Sequence, residues 1–156
     1  MSDQRNILQN LFREENRYAN FGSLLMRIHI SGFRCHTSTV IEVESPISAF
    51  CGLNGTGNST VLQLAAVAYK KGQHEDIRYY IKDFIIPGIL DEPFAADASV
   101  EFGYWQEDRT IKKLSITRSQ AEKRWRGYRT LPNRSVYFSL IWPAGTTTIS
   151  TEFPKK

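Results

Sequence analysis

The segment Gly52-Leu53-Asn54-Gly55-Thr56-Gly57-Asn58-Ser59-Thr60 constrains this chain more than any other. Its glycines admit tightly turned and left-handed backbone that side chains resist. Ahead of it runs the short apolar stretch Ile47-Ser48-Ala49-Phe50-Cys51. Behind it Val61, Leu62, Leu64, Ala65, Val67 and Ala68 fall among good helix formers, closed by Lys70-Lys71-Gly72. Strand, glycine-rich loop, then helix is the order of a phosphate-binding loop, where turned backbone aims several N–H groups at phosphate oxygens from a helix N-terminus. Gly52 and Gly57 have the spacing of that motif's outer glycines, and Ser59 stands where a hydroxyl ligates magnesium. The motif's lysine, however, is replaced by Asn58.

Lysine places a full positive charge on the β and γ phosphates, whereas asparagine is neutral and about two methylenes shorter. Without charge-assisted hydrogen bonds, ATP and magnesium should bind roughly ten- to hundredfold more weakly, and phosphoryl transfer should fail. Neither Lys70 nor Lys71 can substitute, because a helix carries them about 18 Å away. The nucleotide contacts expected from the loop are Asn54, Gly55, Thr56, Gly57, Asn58, Ser59 and Thr60, with Ser59 also on the metal.

Elsewhere, Ile7, Leu8, Leu11, Phe12 and Tyr18 recur at helical spacing and predict an amphipathic helix within residues 1–23. Leu24 to Ser31 alternates, with Met26, Ile28 and Ile30 on one face and Arg27 and His29 on the other. Val40 to Glu44 alternates too, and Ile47 to Cys51 reads as a strand entering the loop. Tyr79 to Ile86 is a strand or a helix end, stopped by Pro87-Gly88. Ala98 to Tyr104 and Thr110 to Thr117 form a hairpin around Gln106-Glu107-Asp108-Arg109, and Ser135 to Trp142 supplies a last strand. The expected fold class is α/β: a P-loop NTPase lobe over residues 24–145 with a mixed sheet, a helix after the loop and an antiparallel hairpin. Residues 146–156 have little core-forming content and should fray.

No apolar run approaches the roughly 18 residues of a membrane span, and the polar start Ser2-Asp3-Gln4-Arg5-Asn6 lacks the apolar core of a signal peptide. Cys35 and Cys51 match no metal-ligand spacing and read as reduced thiols in a cytoplasm. His29, His36 and His74 form no metal spacing with them, so structural or solvent roles are expected. The net charge of +4 permits nucleic acid as a partner, and Arg118 to Arg134, with Trp125 and Tyr128, is the stretch that would contact it.

Ile28-His29-Ile30-Ser31-Gly32-Phe33-Arg34, then Ile41-Glu42-Val43, then Phe50 to Gln63 together resemble the first lobe of ABC-type AAA-family ATPases related to the SMC, RecF and OLD proteins. Those read I-x-x-F-R, a strand, then G-x-N-G-x-G-K-S-T. The resemblance covers about residues 25 to 70 and, more loosely, 98 to 142. It implies that Arg34 approaches the phosphates or the adenine side. It also implies a head-to-head dimer, with each site completed by the second ATPase half or another subunit, and service in DNA repair or antiphage defence.

The chain departs from that pattern in its missing lysine and in having no Leu-Ser-Gly-Gly signature. Asp91-Glu92 imitates a magnesium-holding acidic pair, but Pro87-Gly88 interrupts what must be a central strand, so a surface loop is expected. A fragment, a disabled ATPase and a natural pseudo-ATPase all fit these residues. A DNA-binding module without nucleotide turnover is the competing class.

Overall fold

A computed structural model describes residues 4–53, 55–70, 78–86 and 93–138. The chain begins with two short helices, α1 (Gln4–Phe12) and α2 (Glu14–Phe21), where sequence periodicity predicts one. The break at Arg13, whose backbone is extended (φ −57°, ψ 150°), is stabilised locally. Side chains from α2 donate to carbonyls at the end of α1. Asn16 Nδ2 donates to Asn10 O at 3.1 Å, Asn20 Nδ2 to Leu11 O at 3.3 Å and Arg17 Nε to Phe12 O at 2.9 Å. The Arg17 guanidinium also lies over the rings of Phe12 and Trp105, at 4.5 and 4.6 Å, so the helical pair packs against the sheet.

Five antiparallel strands make one sheet in the order β2-β1-β3-β4-β5: β1 (Leu25–Phe33), β2 (His36–Glu42), β3 (Phe94–Trp105), β4 (Ile111–Arg118) and β5 (Trp125–Arg126). A parallel bridge between Lys70 and Asn133 lies outside these strands. The expected hairpin is β3-β4, with Glu101 opposite Ser115 and Phe102 opposite Leu114. Alternation puts Ile28 and Ile30 of β1, Val100 and Phe102 of β3, and Ile116 of β4 on the inner face, all fully buried. Helix α3 (Asn58–Val67) packs there through Val61, Leu64 and Val67. The short α4 (Ile81–Phe84) adds Ile81, so the ambiguous 79–86 stretch is neither a strand nor the end of a longer helix but a separate single turn capped at Tyr80.

Simple alternation fails twice in β1. Register shifts against β3 fall between Leu25 and Arg27 and between Ser31 and Phe33. The first leaves Leu25 buried and Met26 only half-buried. At the second, Gly32 has φ +69° and a Cβ there would meet that of Ala95 at 2.8 Å, so only glycine fits. Beyond this bulge Phe33 turns fully inward, stacks on Trp125 with ring centres 5.2 Å apart, and leaves the next two residues to make the turn into β2.

Three expectations change. The run 47–51 is not a strand: Pro46 has no N–H to donate, Ile47 is 77% exposed, and Phe50 alone of the run packs against the core. The chain thus crosses from β2 to the glycine loop without the entering strand. Strand β2 starts at His36 and stops at Glu42, earlier than the 40–44 pattern suggests. Residues 135–138 carry no strand, and the rest of the 135–142 expectation lies outside the described residues. So do Asp91-Glu92, His74 and the tail 146–156. Among the described residues no helix is long and apolar enough to cross a membrane.

Candidate functional site

A cavity of about 330 Å³ opens where the glycine loop meets α3. The loop supplies Gly52, Leu53, Gly55 and Gly57, the first turn of α3 supplies Asn58, Ser59 and Thr60, and the β1-β2 turn supplies Arg34 and Cys35. Gly55 and Gly57 have φ of +85° and +91°, the left-handed conformation that lets successive backbone groups curve around one point. Thr56 holds the turn closed: its N–H and its hydroxyl both reach Leu53 O, at 3.3 and 2.8 Å. The Thr56 hydroxyl is thereby turned onto the loop's own backbone. Asn54 lies outside the described residues.

Helix α3 starts from Gly57 with no side-chain cap on its first amides. The first turn of any α-helix has N–H groups without intrahelical partners and carries the positive end of the helix dipole. Here those groups belong to residues lining the cavity. Asn58 opens α3, and its carboxamide folds back over the loop. A Cβ on Gly52 would stand 2.8 Å from both Asn58 Nδ2 and Thr56 Oγ1, so Gly52 leaves the room those side chains use. Ser59 is exposed in the first turn, while Thr60 is buried.

Arg34 sits in the tight turn with φ +44°, and its N–H donates to Pro93 O at 2.9 Å, which ties the turn to the start of β3. That brings together Arg34, Gly55, Gly57, Asn58, Ser59 and Thr60 of the residues expected from sequence. Sequence reasoning did not anticipate Cys35, whose thiol is free and exposed, or the contact made by its neighbour His36. The imidazole of His36 is buried beside Gly57, with Nε2 3.3 Å from Gly57 O and Nδ1 3.0 Å from Thr39 Oγ1. No spacing rule marks a histidine that reaches across 21 residues to a backbone carbonyl.

These groups suit an anionic ligand: unpaired helix amides, a hydroxyl at Ser59, and an arginine at the rim. For magnesium the fit is partial. Ser59 can supply one hydroxyl oxygen, and among the described residues no cluster of His, Cys, Asp or Glu could hold a metal ion. In the basic segment 118–134 the aromatic side chains take part in packing. Trp125 stacks on Phe33 and lies edge-on to Phe94, Tyr128 lies edge-on to Tyr80, and Arg118 covers the Phe94 ring at 5.0 Å. Trp125 and Tyr128 are each half-buried.

The model of the family described as AAA domain matches residues 27–152. No curated protein matches the chain. A solved structure described in terms of the ATP-driven dimerization and DNA-stimulated activation of SMC ATPases is 22% identical, with a TM-score of 0.40. The match covers 65% of this chain and 66% of that one, so the chain spans just under two thirds of that structure's length.

Proposed function

The chain belongs to the AAA domain family, and we propose that within it this chain binds ATP with magnesium at the glycine loop, as one lobe of an SMC-like ATPase. The observation that carries this reading is the uncapped N-terminus of α3 opening onto a cavity lined by Arg34, Gly57, Asn58 and Ser59. When bound, magnesium would neutralise phosphate charge and take one ligand from Ser59. The backbone from Gly55 to Thr60 would hold the phosphates, and Arg34 would approach them from the β1-β2 turn. With Asn58 in place of lysine, the site retains backbone donors but lacks the cation that follows charge onto the leaving group. Binding without turnover is the consequence. The wider setting in this proposal is a head-to-head dimer completed by a second ATPase half or subunit, in DNA repair or antiphage defence; it rests on the family resemblance alone.

The test is titration calorimetry with Mg-ATP on the parent, Asn58→Lys and Ser59→Ala. A charge-assisted hydrogen bond contributes about 1.5 to 3 kcal/mol, so the Lys variant should bind roughly ten- to hundredfold more tightly than the parent. Ser59→Ala should lose affinity in magnesium and keep its affinity in EDTA. Failure of Asn58→Lys to bind at millimolar Mg-ATP would refute the proposal.

A further inference from the structure

The carbonyl of Gly57 accepts two hydrogen bonds. Val61 N–H reaches it at 3.1 Å, closing the first turn of α3, and His36 Nε2 reaches it at 3.3 Å from the start of β2. Because a carbonyl oxygen has no proton, Nε2 must carry the hydrogen, and in the neutral imidazole Nδ1 then accepts from the Thr39 hydroxyl. The ring is therefore held from both ends in one tautomer. The contact also requires glycine on the loop side: a Cβ at Gly57 would lie 2.1 Å from His36 Nε2 and 2.8 Å from Cys35 Sγ.

Fixing this carbonyl fixes more than one bond. The described chain has no cis peptide, so the Gly57 carbonyl and the Asn58 N–H point in opposite directions from one rigid plane. With the carbonyl drawn to His36, the Asn58 N–H is aimed away from the imidazole. We infer that His36, oriented by Thr39, is a positioning residue for the phosphate loop, setting the peptide plane between Gly57 and Asn58 and hence the direction of the first donor of α3. His36 does not touch the ligand in this arrangement; it acts through Gly57. Because Arg34 and Cys35 of the same turn line the cavity, one segment both walls the site and holds the loop in shape.

The test compares His36→Gln, His36→Asn and Thr39→Val with the parent. Gln places its amide nitrogen near the position of Nε2 and keeps the donor to Gly57; Asn reaches only the position of Nδ1 and loses it. In ligand-free protein, hydrogen exchange at the Val61 amide should be about three- to tenfold faster in His36→Asn and Thr39→Val and restored in His36→Gln, with Ile28 and Val100 amides unchanged. Equal Val61 protection in the parent, His36→Asn and His36→Gln would overturn the inference. The consequence for the ligand rests on the nucleotide reading: Mg-ATP should bind His36→Asn about three- to tenfold more weakly than the parent, and His36→Gln within about twofold. Equal affinities in proteins that do bind would also overturn the positioning role. If the parent fails to bind while the Val61 pattern holds, the nucleotide reading falls and the positioning role stands.

Discussion

Replacing Gly57 by alanine should be among the most costly single-methyl additions in this molecule, for two separable reasons. The first is conformational. At φ +91° an L-residue with a Cβ is strained, at a cost of about 1 to 2 kcal/mol. The second is steric: the new methyl would stand 2.1 Å from His36 Nε2, a distance that some atom must give way to, and overpacking of this kind costs about 1 to 3 kcal/mol. His36 cannot swing aside cheaply, since it is buried and bonded to Thr39. Together the penalties come to roughly 2 to 5 kcal/mol, or about 4 to 20 °C in Tm for a chain of this length. Thermal unfolding by circular dichroism in a double-mutant cycle separates them. In a His36→Ala background the steric part should largely vanish, because Cys35 Sγ, at 2.8 Å, belongs to an exposed residue that can move, while the conformational part remains. A Gly57→Ala penalty that is the same in both backgrounds to within about 0.5 kcal/mol would refute the reasoning.

Tyr104→Phe should destabilise the fold by about 1 to 3 kcal/mol, because the buried Tyr104 hydroxyl donates to the Ala68 carbonyl at the end of α3; an unchanged denaturation midpoint would count against that bond. The same burial gives a pH dependence. Burial raises the phenol of Tyr104, with Tyr69 beside it adding to the rise, and burial pushes Tyr128 up to about 12. A group whose pKa is raised in the fold binds its proton more tightly there than in the unfolded chain, so its contribution is complete below about pH 10 and is lost as pH climbs toward 12. On the alkaline side stability should therefore fall above pH 10, with phenolate absorbance at 295 nm appearing together with loss of structure; ionisation of every tyrosine near pH 10 in a folded protein would contradict this.

How legible the molecule is in its sequence depends on the range of the interactions involved. The glycine loop and α3 were readable because their signals are local: glycines at fixed spacing for left-handed backbone, then helix formers with Val61, Leu64 and Val67 on one face. The β3-β4 hairpin was readable for the same reason, its alternation being continuous on both sides of a polar turn.

Tertiary structure decided the rest. The run 47–51 has a strand's composition, yet a strand exists only where a neighbour offers a ladder, and among the described residues none pairs with it. The N-terminal periodicity continues through Arg13, but Asn16, Arg17 and Asn20 supply donors that make a break there tolerable. Bulges in β1 turn Phe33 inward, and the short turn after it delivers His36 to Gly57, a contact between residues that neither composition nor spacing associates. Sequence alone determined which backbone conformations each segment could adopt. Tertiary structure chose among them, because burial and hydrogen bonds between distant segments outweigh local preferences of a few tenths of a kcal/mol per residue.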